Sequence, residues 1–241
     1  MLPSTLYFQY KNMKDFSEFE KKIGIDFKDQ KVLQQAFTHR SYINENPKSG
    51  LSHNERLEFL GDAVLELVVT DYLFNTYKDH AEGDLTAYRS ALVNAIVAAE
   101  VAQSLDMNEY LLLSKGESKD TGRARQTILA NAYESFIGAL YLDQGYEVCN
   151  VFIKKTLIPK LTDIISKKSW RDAKSHIQEE AQERLGITPS YEVVGQLGPD
   201  HDKFFTVGIY FGEKKIAEGK GRSKQEAQQA AAQSALEKKG W

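Results

Sequence analysis

The chain has 241 residues, 41% apolar and 27% charged, with 12 Tyr, 12 Phe and only 5 Pro, which excludes the disordered and collagen-like classes. Its one cysteine, Cys149, excludes a disulfide framework and a cysteine-built metal cage, and its most apolar stretches, 57–69 and 91–105, are too short and too acidic for a membrane span, so the cytoplasm is the expected compartment. A formal charge of −3, from 31 basic and 34 acidic residues, does not by itself point to a nucleic-acid partner.

Up to about residue 165 the pattern is helical. Phe16–Ile23, Lys31–Thr38, Leu57–Tyr77, Leu85–Leu105, Thr127–Asp143 and Val148–Ile165 repeat apolar residues at three- and four-residue spacing. Turn-rich pieces at 44–50, 82–84 and 114–126 separate them. The expectation is an all-α domain over 1–165 and a short polar, basic linker over 166–172. A small α-β-β-β-α domain follows over 173–241. There Ala173, Ile177, Ala181 and Leu185 stripe one helix that Gly186 ends. Tyr191–Val194 reads as a strand, Phe205, Val207, Ile209 and Phe211 alternate over a second, and Lys215–Glu218 forms a third. Ser223 and Glu226 form a capping box that opens the final helix. An antiparallel meander with both helices on one face buries one side of the sheet.

The segment 53–69, HNERLEFLGDAVLELVV, is apolar over most of a helix circumference and predicts a largely buried helix. Yet Glu55, Glu58 and Asp62 share one of its faces, where like charges repel. In ILANAYESFIGALYLD (128–143) Asn131 and Glu134 share a face, and Gly138 continues it without a side chain, so that a neighbouring backbone is free to come close. Two such helices crossing would gather Glu58, Asp62, Asn131 and Glu134 into an all-oxygen site, suited to Mg²⁺ or Mn²⁺ rather than zinc. A carboxylate-held divalent ion is what phosphodiester hydrolysis needs. The competing reading is that these acids are solvated or paired with Arg56, Arg89, Arg123 or Arg125.

NERLEFLGDAVL (54–65) resembles the signature of the ribonuclease III family. HRSY at 39–42, EGD at 82–84 and the 128–143 segment follow in that family's order, and Gly219–Lys224 with the Ala-rich helix after it resembles a double-stranded-RNA-binding domain. The resemblance implies an endoribonuclease that cuts double-stranded RNA as a homodimer, with Mg²⁺ as cofactor, 5′-phosphate and 3′-hydroxyl ends, short 3′ overhangs, and a role in processing precursor RNA. It implies that Asp62 and Glu134 are catalytic and hold metal with Glu58. Glu55 and Glu82 match further acids near the cleft and dimer contact, and Phe59 matches an aromatic that inserts into the partner subunit; plain core packing is the alternative for Phe59. Asn131 stands where the family has Asp. Its amide oxygen still ligates, so the expectation is an active enzyme with a weaker hold on Mg²⁺; a non-cleaving RNA-binding protein on the same fold is the alternative.

For RNA binding the resemblance implies minor-groove contacts from Ser175, Gln178, Glu179 and Gln182, a loop reader at His201, and phosphate contacts from Lys220, Arg222, Ser223 and Lys224. Gln225 and Gln228 replace lysines of the pattern, which predicts a shallow salt dependence. Lys115, Lys119, Arg123 and Arg125 offer phosphate contacts or a solvated loop; His39 and Arg40, at the end of the second helix, read as structural. No membrane partner and no nucleotide cofactor are expected, since no phosphate-loop context is present. The −3 resolves on splitting: residues 1–169 carry it all, and residues 170–241 hold 11 basic and 11 acidic side chains that include the cluster at 220–224.

Overall fold

A computed structural model describes residues 14–166, 172–199 and 203–241. The chain divides into two compact units, Met1–Trp170 and Arg171–Trp241. In the first, helices run α1 (Ser17–Ile23), α2 (Gln30–Ala36), α3 (Arg40–Glu45), α4 (Glu55–Thr76), α5 (Glu82–Leu92), α6 (Ala95–Ser104), α7 (Arg123–Gln144), α8 (Tyr146–Thr156) and α9 (Pro159–Ser166). Two short 3₁₀ turns, Met107–Tyr110 and Glu117–Lys119, precede α7.

The core forms around α7, whose residues Ala132, Tyr133, Phe136, Ile137, Ala139 and Leu140 are wholly buried. Phe136 meets Phe19, Phe27, Phe37 and Phe152, with ring centroids 5.2–6.4 Å apart. Burying that much aromatic surface stabilises the fold.

Three sequence expectations change. The single helix expected over Leu85–Leu105 breaks at Asn94, whose Oδ1 accepts from the Ile96 and Val97 amides at 3.0 and 3.1 Å and caps a new helix. The helix expected over Val148–Ile165 stops at Thr156 and restarts at Pro159, because proline has no amide hydrogen and is tolerated only in a first turn. His39 and Arg40 do not end the second helix: His39 caps α3, its Nδ1 accepting from the Ser41 amide at 3.3 Å. The Thr38–Leu112 bridge fixes that cap, with the His39 amide donating to the Leu112 carbonyl at 3.0 Å.

The second unit is α10 (Ala173–Leu185), β1 (Ser190–Leu197), β2 (Phe204–Phe211), β3 (Lys214–Gly221) and α11 (Lys224–Lys239). The strands form an antiparallel sheet in the order β1-β2-β3. Ile209, Phe211 and Ile216 on its inner face pack with Ile177 and Ala181 of α10 and with Ala231, Ala232, Ala235 and Leu236 of α11. β1 and β3 both exceed their predicted ranges, since ladder pairing extends past the alternating apolar residues to Leu197 and Gly221.

Candidate active site and nucleic-acid interface

The crossing of α4 and α7 depends on two glycines. A methyl group on Gly61 would lie 2.7 Å from the Gly138 amide nitrogen and closer still to the Glu134 carbonyl oxygen. One on Gly138 would lie 3.1 Å from the Gly61 nitrogen and closer to the Leu57 carbonyl. No larger residue fits at either position, so the close approach expected at Gly138 has a second half at Gly61. Ser135 Oγ of α7 donates to the carbonyl of Asn54 at the start of α4 (3.3 Å), and Asn54 Nδ2 ties that start to α2 through the Ala36 carbonyl (3.2 Å).

Asp62 directly follows Gly61, and Glu134 lies one turn before Gly138, so backbone contact brings the acids together. Burial, and then the Asp62 and Glu58 carboxylates, push Glu134 up to about 7. Burial also raises Glu58, reinforced by Glu55 and Asp62 and opposed by a hydrogen bond from the Asn131 side chain. Asp62 is the exposed member of the set. Of the arginines that could neutralise these acids, Arg89 donates to Thr70 Oγ1 at 3.1 Å. Arg125 donates to the Glu117 and Asp120 carbonyls at 2.7 and 3.1 Å and to Asn108 Oδ1 at 3.3 Å. Arg125 thus clamps the loop before α7.

Among the described residues no three His, Cys, Asp or Glu side chains close into a ligand cluster. The Asn131 side chain hydrogen-bonds Glu58. The donor set nevertheless fits a hard divalent cation, since three carboxylates and an amide supply only oxygen ligands.

Of the other acids, Glu55 lies one turn before Glu58 on α4 and Glu82 lies on α5. Glu55 pairs with Arg40 at 3.0 Å and has His53 Nδ1 at 3.7 Å; Arg40 comes from α3, and no local pattern announces the pair. Glu82 accepts from Thr86 Oγ1 at 2.9 Å in the first turn of α5, beside Thr70, Phe74 and Arg89. Thr70 lies eight residues beyond Asp62, about 12 Å along α4, so a single chain does not join Glu82 to the acidic crossing. Phe59 is 82% exposed and is not core. With Leu67 and Phe74, also exposed, it gives α4 an apolar outer flank, which corrects the expectation of a largely buried helix.

In the second unit Ser175, Gln178, Glu179 and Gln182 line one open recess along α10, as their spacing on a helix requires. His201 lies outside the described residues. Added methyl groups on Gly219 and Gly221 would meet the α11 backbone, 2.6 Å from the Ala227 carbonyl oxygen and 2.5 Å from its nitrogen respectively. These glycines therefore face the helix and turn Lys220 outward between them. Lys220, Arg222, Ser223 and Lys224 are all exposed, and the Arg222 guanidinium lies 5.5 Å from the centroid of Phe204. Ser223 Oγ accepts from the Glu226 amide at 3.0 Å, so the Ser223 cap forms as expected, while Glu226 Oε2 reaches back one residue further, to the Arg222 amide, also at 3.0 Å. A helix N-terminus with exposed cations favours phosphate.

Comparison with known proteins agrees with both units. The family described as Ribonuclease-III-like matches residues 29–161, and the double-stranded RNA binding motif matches residues 173–239. Ribonuclease 3 of Listeria monocytogenes (strain HCC23) is 43% identical over 224 residues, covering 93% of this chain and 97% of its own. A crystal structure of the nuclease domain of ribonuclease III from Campylobacter jejuni, 39% identical, superposes with a TM-score of 0.55 over 61% of this chain and 97% of its own. A second structure of that domain, described as flexible in the region involved in dimer formation, gives 0.53 at 40% identity, over 59% and 98%. A match this extensive, to a helical nuclease domain and the RNA-binding domain behind it, makes the chain a member of the ribonuclease III family and an endoribonuclease.

Proposed function

We propose that the enzyme hydrolyses phosphodiester bonds in double-stranded RNA as a homodimer with Mg²⁺ as cofactor and Mn²⁺ as a substitute. The products carry 5′-phosphate and 3′-hydroxyl ends with short 3′ overhangs, and precursor ribosomal and messenger RNAs are the substrates. What carries the reading is the acidic crossing: Glu134 raised by burial and by the Asp62 and Glu58 carboxylates, and Glu58 raised by burial and by Glu55 and Asp62. Such strain is characteristic of functional sites.

Glu58, Asp62, Asn131 and Glu134 would hold the ion, which when bound supplies an activated water and neutralises charge on the phosphate. The exposed Asp62 carboxylate accepts a hydrogen bond from the attacking water and orients it. Asn131 holds Glu58 in place by its amide, leaving the site one negative charge short of a four-acid set. The apolar α4 flank around Phe59 supports the homodimer, and the recess on α10 with the Lys220–Lys224 cluster supports grip on duplex RNA, whose bases lie out of reach in a deep groove. The cytoplasm is the compartment assigned, on the single-cysteine composition.

Incubating a long RNA duplex with the protein across a Mg²⁺ titration tests the reading. Staggered products that appear only with metal are the expected result; binding without products at every concentration would overturn cleavage in favour of a binding protein. In the same assay Asn131→Asp is expected to reach half-maximal rate at roughly tenfold lower Mg²⁺, because an added carboxylate charge attracts the ion. Identical titrations would remove Asn131 from the metal site.

A further inference from the structure

In the RNA-binding domain the leading face of α11 is poor in cations: Lys224 is followed on the same side by Gln228, one turn later, and its neighbour is Gln225. A lysine from the other helix reaches that face. Lys174 Nζ of α10 donates to Gln228 Oε1 at 2.8 Å and sits 5.4 Å from the centroid of the Tyr191 ring. It directly precedes Ser175, the first residue of the α10 recess. A lysine ammonium has three donors, and the Gln228 bond uses one. Asp172 feels the Lys174 charge but forms no ion pair with it; its oxygens accept from the Ser175 amide at 2.8 Å and from Gln229.

From this placement we infer that Lys174 is an RNA-phosphate contact, set by Gln228 and Tyr191 so that its charge continues the row begun by Lys224. α10 then does more than face the minor groove: it also supplies the cation that α11 lacks one turn in from its N-terminus. The inference rests on the RNA-binding reading of this domain and adds to it a residue outside the Gly219–Lys224 segment. A structural role is the competing explanation, since the same hydrogen bond ties α10 to α11.

The two are separated by exchanging the partners. Binding of the full-length chain to a blunt RNA duplex is measured without divalent metal, over a range of KCl, for the wild type, Lys174→Gln, and Lys174→Gln combined with Gln228→Lys; Lys224→Ala is the control. Lys174→Gln is expected to weaken binding several-fold and to flatten the plot of log affinity against log salt by about one counter-ion, a slope change of roughly 0.7–0.9, with the melting temperature unchanged. Moving the lysine to position 228 is expected to restore the slope. An unchanged slope in Lys174→Gln, or a double variant that does not recover, would overturn the inference. Failure of the wild type to bind, or no effect of Lys224→Ala, would instead overturn the RNA-binding reading beneath it.

Discussion

Glu134 is the residue whose environment is most at odds with its chemistry. A carboxyl ordinarily titrating at 4.5 is pushed up to about 7 by burial and by Asp62 and Glu58. The native state therefore binds this proton more tightly than the unfolded chain. The stabilisation is complete below pH 4.5 and is lost as pH rises through about 7. Glu134→Gln removes the charge without changing the shape, so the metal-free variant is expected to melt roughly 1–3 °C above the wild type at pH 8, with the gap closing toward pH 4.5. Calorimetry across that range checks it, and a pH-independent gap would refute the assignment. Glu58 is raised as well, by burial first and then by Glu55 and Asp62, while the Asn131 hydrogen bond favours its anion. The acids, the amide and their helical spacing were legible in the sequence. The Arg40–Glu55 pair at 3.0 Å was not, since fifteen residues and a helix boundary separate its partners.

Among the elements, the α4–α7 crossing decides whether a site exists. Periodicity identified both helices because their apolar positions recur through long windows. It did not reveal that Gly61 opposes Gly138, as a lone glycine in an apolar helix has many uses. Gly61→Ala forces a methyl group into the Glu134 backbone, and is expected to cost about 3 kcal/mol while displacing Asp62 from Glu134. Denaturant unfolding together with duplex cleavage checks both consequences; wild-type stability would show that the helices have room to separate. Shorter elements were less legible. Helix α3 is six residues long and held by its His39 cap and the Leu112 backbone, so it depends on a chain segment far away in sequence. The break at Asn94 turns on one side chain capping two amides, a choice that apolar spacing does not record.

At the scale of the whole molecule, α4 carries its acids near one end and exposes Phe59, Leu67 and Phe74 to solvent. Water-facing aromatics on the helix of the proposed active site are costly unless a second copy covers them. Phe59→Ala is expected to raise the dimer dissociation constant by roughly thirtyfold or more, as loss of a central aromatic does at about 2 kcal/mol. Sedimentation velocity across a dilution series reads this directly, and an unaltered constant would place the interface elsewhere. The formal charge of −3 is compatible with RNA binding because phosphate meets local fields, and exposed Lys220, Arg222 and Lys224 create one regardless of the total.

The sequence by itself determined the class of chemistry, the two-domain order, the long helices and the helix cap at Ser223, because each depends on residues close together in the chain. Tertiary structure alone decided what those residues meet. It set Glu134 against Asp62 through a glycine crossing, turned Arg125 to brace a loop, and left Phe59 exposed. It also brought Lys174 to Gln228 across two helices. The physical reason is the same throughout: burial, charge coupling and close approach are properties of pairs distant in sequence, and only the packed chain pairs them.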